Sequence, residues 1–315
     1  MDTIERYTPA LAREWDDFVG RSRNGTFLLR RGYMDYHSDR FTDCSWVVRR
    51  RGGIRAVLPA NIDSAGVLHS HQGLTYGGWI LPTGHVDGSE LLEIFGQAIE
   101  KWRTEGIHEL DYKPIPDIYA SAPAQEDRYA LFRLGATITG CGLSTAVPLA
   151  DGPRLNQMQR RHLRDAANFD WSISDAENVD AFMDLLSECL MDRHGVKPVH
   201  SADELQLLRD RFSENIRIFL LTLKGETRPD AGVCMFDTGI VAHAQYIATT
   251  ARGRELNLLT PLFVRLMSDI FATRIWFDFG ISTEDNGRVL NAGLLRQKFS
   301  YGGSGVIYPR YSLLL

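Results

Sequence analysis

One segment of this chain occurs twice, and that repetition constrains the fold more than any other feature. The first copy runs through LHSHQGLTYGG (68–78), the apolar stretch SELLEIFGQAIEKW (89–102) and HELDYKP (108–114). The second runs through VAHAQYIATTARGRE (241–255), TPLFVRLMSDIF (260–271) and IWFDFG (275–280). Each reads as a histidine-bearing strand, a glycine-containing loop, an amphipathic helix and a strand carrying an aspartate. From His71 to Asp111 is 40 positions (111 − 71), and from His243 to Asp278 is 35 (278 − 243). The pattern predicts two related α/β units, residues 1–150 and 151–315, divided at the Ala-Asp-Gly-Pro stretch near residue 150. It places His71 and His243 on equivalent or neighbouring strands.

A length of 315 residues is enough for two domains with sizeable cores. A formal net charge of −5 argues against a globally basic nucleic-acid binder, so no DNA partner is expected. The first residues, MDTIERYTPALAREW, lack the apolar core of a secretory signal, and no apolar run approaches a membrane span. Cys44, Cys141, Cys189 and Cys234 are scattered without metal-ligand spacing, which fits free thiols in a reducing cytoplasm. Peripheral contact with a membrane surface stays open, as does the oligomeric state.

Periodicity predicts helices over 26–41, 89–102, 125–134, 154–169, 178–191, 260–271 and 288–299. Strands are expected at 44–50, 54–62, 67–72, 108–114, 136–148, 217–223, 231–237, 240–248, 275–280 and near the C-terminus. Gly52-Gly53 marks a hairpin turn, Ser201 to Glu204 a capping box, and Thr260-Pro261 a helix start. The fold class is mixed α/β (α+β), each unit a largely antiparallel sheet flanked by helices.

The stretches DRHGVKP (192–198), AGVCMFDTGIVAHAQYIAT (231–249), FDFGISTEDNGRVLNAGLLRQKFSYGG (277–303) and VIYPRYSL (306–313) resemble the GNAT acyltransferases. NGTFLLRRGYMDYHSDRF (24–41) and HSHQGLTYGG (69–78) look like the duplicated-GNAT, Fem-like subgroup associated with bacterial surface-polysaccharide biosynthesis. The resemblance implies two tandem GNAT-like domains and transfer of an acyl group from acyl-CoA to an amine. The acceptor it suggests is a small-molecule or lipid-linked amino-sugar. The Fem-type alternative is an aminoacyl-tRNA donor acting on a peptidoglycan precursor, and a catalytically silent scaffold is the rival from another class. Neither enzyme reading calls for a metal. The usual acyl-CoA loop corresponds here to TTARGRELNLL (249–259), where only Gly253 remains and Arg252 and Arg254 offer charge instead.

Acyl transfer to an amine needs a base, donors for the developing oxyanion, and groups that hold two substrates together. Glu284 and Asp278, around the FGISTEDNG turn, are the first candidates for the base, with His71 and His243 in reserve. Ser282, Asn291 and Lys298 follow as substrate-binding residues of the same region. His69 and His71 share parity and are expected on one strand face, near Gln72 and Tyr76. Tyr36, Asp39 and Arg40 form a polar group on the 26–41 helix. Gln245 is expected on the face of His243, with Tyr246 on the other. Arg160, Arg161 and Arg164 make a basic face on the 154–169 helix, suited to solvent or to phosphate.

Overall fold

The computed structural model describes residues 2–84, 86–177 and 179–315. The chain divides into two compact units. The first comprises residues up to 142 with 283–289 and 307–315, and the second comprises 143–282 with 290–306. A single cut near residue 150 would have left both returning segments in the second unit.

In the first unit, strands Thr3–Arg6, Trp46–Arg50 and Gly53–Leu58 form a three-stranded antiparallel sheet. The turn inside it falls on Arg51 and Gly52, both with positive φ, one residue earlier than expected. That is the two-residue geometry that matches strand twist. A second set of strands runs in the order Thr42–Asp43, Asn61–Ile62, Val67–His69, Glu109–Tyr112 and Ser304–Leu314 (from 307 on). Helix Gly88–Thr104 starts on an Asp87–Glu90 capping box. It buries Leu91, Ile94, Phe95, Ala98 and Trp102 against Trp46, Trp79 and Tyr112. The expected helix over 26–41 breaks into three short turns, Phe27–Leu29, Arg31–Met34 and Asp35–His37. Arg30 is extended there, and the buried Arg31 guanidinium turns to Asp35 and Asp43.

Asn286-Gly287 is a turn, as expected, and Gly287 has φ +93°. A β-carbon at Gly287 would lie 1.9 Å from the Cys141 carbonyl oxygen. Gly287→Ala therefore combines a left-handed backbone with a backbone clash. It is expected to destabilise the protein by roughly 1–3 kcal/mol or more, read from denaturant midpoints. An unchanged midpoint would contradict the packing described.

The second unit holds strands in the order Thr137–Pro148 (from 143 on), Trp276–Ile281, Val241–Thr249, Ala231–Asp237, Ile216–Leu223 and Trp171–Asp175. Neighbours are antiparallel except Val241–Thr249 with Trp276–Ile281, which run parallel. Helix Asp180–His194 covers one face, where Phe182 meets Gly232. The other face carries Val233, Met235, Ala242 and Ala244 against Leu262, Phe263 and Leu266 of helix Leu259–Arg265 and the turn after it. Thr260 is not an N-cap. Thr250 caps a separate short helix, Ala251–Glu255, and the next helix begins at Leu259 with Pro261 in its first turn.

Candidate active site

Each unit contains a parallel strand pair that sets a histidine beside an aspartate in register. In the first unit His69 lies opposite Asp111, and in the second His243 lies opposite Asp278. The counterpart of His243 is therefore His69, not His71. His71 lies beyond the strand end with φ +67°, so strand alternation no longer applies and it does not share a face with His69. It is buried beside the rings of His37 and Phe41. Burial, with the nearby His37 and Lys113 charges, pushes its pKa down to about 3, so it is neutral at working pH.

The first-unit pair is locked. His69 uses both ring nitrogens, Nδ1 with Asp111 at 2.7 Å and Nε2 with Asp63 at 2.9 Å. Arg310 clamps Asp111 with two bonds of 2.6 and 2.7 Å. Beyond the pair the gap is closed by the chain itself. Ser70 N–H donates to the Asp111 carbonyl, and Gly77 N–H donates to the Lys113 carbonyl. Gly78, at φ +87°, leaves no room for a β-carbon above the Tyr112 hydroxyl.

Burial pulls the His69 pKa down, but hydrogen bonds to Asp111 and Asp63 outweigh it and raise the pKa overall. Burial pushes Asp111 up, yet His69 and Arg310 hold it at about 2. The His69 contribution is complete below the ordinary histidine pKa and is lost as pH rises through the raised value. The Asp111 contribution is complete above the ordinary aspartate pKa and is lost as pH falls toward 2. Thermal midpoints should thus decline on both sides of the interval between them, and His69→Gln should flatten the alkaline decline. A decline unchanged in the variant would contradict this.

The second-unit pair is open. Asp278 is fully buried and accepts from His243 Nδ1 at 3.0 Å, from Gly280 N–H at 3.0 Å and from the Ser144 hydroxyl. The His243 side chain keeps 13% of its surface exposed, and among the described residues Nε2 has no hydrogen-bond partner. A buried carboxylate on Nδ1 fixes the tautomer that leaves Nε2 as acceptor. Past His243 and Asp278 the two parallel strands are no longer paired. Gly280, at φ +75°, turns the second strand aside. A cavity of about 180 Å³ lies here, lined by Cys189, Ile247, Thr249, Arg254, Leu259, Phe263, Phe279, Leu294, Gln297, Lys298 and Tyr301. Cys189 comes from the helix on one sheet face and Phe263 from the helix on the other, so the slot passes through the sheet. Phe263, Phe279 and Tyr301 form its aromatic wall, with centroids 5.0–5.5 Å apart.

Lys298 is buried in this slot, and Nζ donates to the Gly280 and Ile281 carbonyls at 2.8 Å each. An ammonium has three N–H groups, so one remains. Burial lowers its pKa to about 8, partly opposed by Asp278. Gly280 links slot and dyad: its carbonyl holds Lys298, and a β-carbon there would sit 3.4 Å from His243 Cε1.

The sequence-predicted residues divide sharply. His243, Asp278 and Lys298 come together. Asp278 holds the imidazole and has no open side, which suits an orienting group rather than a base. Glu284 is exposed on the two-residue strand Thr283–Glu284, in the first unit. Ser282 is buried, and its hydroxyl has no partner among the described residues. Asn291 is the N-cap of helix Ala292–Phe299, accepting from Leu294 N–H. A bulge corrects the facing of Gln245 and Tyr246. Cys234 pairs with Tyr246 but Met235 with Ala244, so Gln245 is the extra residue and Tyr246 shares the face of His243. His200 bonds Tyr246 on that side, a contact no local sequence signal announces. In the first unit, Gln72 is paired with Asn61 through two bonds, and Tyr76 donates to Thr26. Arg40 lies over the Tyr36 ring, and Asp39 is exposed beside Arg40.

The expected phosphate loop is built differently. Arg252 is tied to Asp230 by two bonds and to Glu226 by a third. Gly253 N–H donates to the Thr250 hydroxyl, and the N–H groups of Arg254, Leu256, Asn257, Leu258 and Thr260 all bond within the segment. Gly253 is held against the Asp230 carbonyl too tightly for a β-carbon. Arg254 donates to the Thr249 carbonyl and lines the slot. Among the described residues no group of three His, Cys, Asp or Glu side chains is placed to hold a metal. No helix among them is long and apolar enough to cross a membrane.

Residues 155–286 match the model of the acetyltransferase (GNAT) domain family. No curated protein sequence matches the chain. Among solved structures, FemX is similar at a TM-score of 0.70 and 12% identity, over 99% of this chain and 97% of that one. The C-terminal domain of a putative lysylphosphatidylglycerol synthetase from Agrobacterium fabrum follows, at 0.59 and 14%, over 96% and 90%. A tandem GNAT protein from the clavulanic acid biosynthesis pathway gives 0.55 and 12%, over 99% and 98%. Residues 155–286 thus carry a GNAT domain match, and the chain as a whole has a tandem GNAT-like fold.

Proposed function

We propose that this protein is an N-acyltransferase of two tandem GNAT-like domains, with its chemistry in the second unit. The observation that carries this reading is the open slot beside an open His–Asp pair, where the first unit has a closed gap and a locked pair. The donor's acyl arm lies along the aromatic wall, with its carbonyl near Lys298. The acceptor amine approaches from the face shared by His243 and Tyr246. The C–N bond forms as the amine attacks the carbonyl, and His243 Nε2 takes the amine proton, directly or through water. The buried Asp278 carboxylate stabilises the resulting imidazolium. The remaining Lys298 N–H meets the developing oxyanion. The carbon–sulfur or carbon–oxygen bond then breaks, and the proton passes to the leaving group. No covalent enzyme intermediate is needed, and Glu284 has no part.

The donor of this reading is acyl-CoA, and the acceptor is an amino-sugar, small or lipid-linked, of surface-polysaccharide assembly in the cytoplasm. A second donor, aminoacyl-tRNA with a peptidoglycan precursor as acceptor, is favoured by one observation. The N–H groups of Gly253, Arg254, Leu256, Asn257, Leu258 and Thr260 bond within segment 249–260 and Arg252 is locked, which leaves little of the segment for a pyrophosphate. A scaffold without chemistry would have no use for a slot beside a His243 Nε2 that has no partner among the described residues. Incubating the protein with acyl-CoAs or aminoacyl-tRNA and amino-sugar or peptidoglycan-precursor acceptors, with amide formation read by mass spectrometry, tests the reading. Amide from either donor supports acyl transfer and names the donor. No amide with any pairing would favour the scaffold.

A further inference from the structure

The slot does not end at Tyr301. A second cavity, about 270 Å³, shares Arg254, Leu259, Gln297 and Tyr301 with it and adds Met158, His162, Gly253, Asn257 and Thr260. A third, about 440 Å³, shares Met158, His162 and Asn257 with the second and adds Gln157, Arg161, Arg164 and Asp165. The three form one run, from an apolar interior to a wide outer groove along helix Gln157–Ala166. That helix is pinned in place. Its buried Gln159 accepts from the Thr260 hydroxyl and donates to Ser300, and Thr260 contacts the Tyr301 hydroxyl. Its outer side carries charge that the fold does not use. Arg164 has no carboxylate partner among the described residues, and Arg161 meets Asp165 only at 3.6 Å, both well exposed. A pair so exposed contributes little, so both guanidinium groups are available to a ligand.

We infer that this groove binds the phosphate groups of the donor, because segment 249–260 bonds its N–H groups from Gly253 onward largely within itself and ties Arg252 to Asp230 and Glu226. The inference rests on the slot of the second unit being the donor site. A donor with an acyl arm at one end and phosphates at the other fits a run that is aromatic inside and basic outside. Arg161 and Arg164 supply planar donors suited to phosphate oxygens, with His162 between them. The shared chemistry is phosphate on a nucleotide, and it comes from CoA or from the 3′ end of a tRNA.

Two probes separate these sources. Calorimetry with desulfo-CoA reads the first, and fluorescence anisotropy with a labelled RNA hairpin ending in CCA reads the second, both over a salt series. The parent protein should bind one of them. Arg161→Ala with Arg164→Ala should weaken that probe by roughly tenfold or more and make its salt dependence shallower. Replacing both by Lys should restore much of the binding, since charge is kept. Both arginines are exposed, so the circular dichroism spectrum should not change. Equal affinity in parent and alanine variant, or no binding of either probe at low salt, would overturn the inference. If the alanine variant keeps full affinity while Lys298→Met abolishes transfer, the groove assignment falls and the slot reading stands.

Discussion

His243→Gln is expected to lower kcat by about 10²- to 10⁴-fold, the range for loss of a positioned general base, while His69→Gln leaves turnover close to that of the parent. The two residues occupy corresponding register positions beside an aspartate. Their difference is in the second ring nitrogen. Asp63 takes Nε2 of His69, whereas Nε2 of His243 has no partner among the described residues. Glutamine keeps most of the volume and a donor toward Asp278, so the thermal midpoint of His243→Gln should stay near the parent's. His69→Gln breaks a buried network and should lower the midpoint instead. Steady-state kinetics and thermal scans on the same preparations read both effects. Full turnover in His243→Gln, or its loss in His69→Gln with an intact fold, would move the chemistry to the first unit.

Lys298→Met should lower kcat by roughly 10²-fold, the usual effect of removing one oxyanion donor. The sign of the pH dependence follows from burial. Lys298 is charged below about 8 and neutral above it. The parent's kcat should therefore fall as pH rises through about 8, and Lys298→Met should lack that limb. Lys298→Gln keeps an N–H donor without charge, so it should recover part of the rate but not the alkaline limb. A merely structural lysine would lower the thermal midpoint in each variant and leave the pH profile of the remaining activity unchanged.

The repeat, the mixed α/β class and most element positions were readable because apolar periodicity and turn residues are local signals. Asp278 drew attention by its place at a strand end before the FGISTEDNG turn and Lys298 by its helical spacing from Asn291 and Leu294, and the fold sets both in the second unit. His69 was misplaced against His71 because both sit two positions apart in one strand-like run. Only the positive φ of His71 shows where the strand stops. Gln245 and Tyr246 were assigned to the wrong faces because a bulge is a property of two strands in register, and parity within one strand does not contain it. Glu284 drew attention by lying in an acidic turn, but that turn is shaped by the backbone of Asn286 and Gly287 and leaves the carboxylate in solvent. Arg252 looked free because its partners, Asp230 and Glu226, are more than twenty residues away. Ser144, Phe279, Gln297 and Tyr301 come to the site by tertiary packing alone.

In this reading the donor fills the slot of the second unit, and Cys189 is placed to report its presence. It lines the slot, while Cys141 is exposed outside it. Cys44 and Cys234 are buried, and burial raises both thiols well above their ordinary range, so they react slowly. The measurement is the rate of N-ethylmaleimide alkylation at each cysteine, followed by peptide mass spectrometry, with and without saturating acyl-CoA or aminoacyl-tRNA. Saturating donor is expected to slow alkylation of Cys189 strongly and leave Cys141 unchanged. Alkylation of Cys189 at the same rate with and without a donor that supports turnover would place the donor outside this slot.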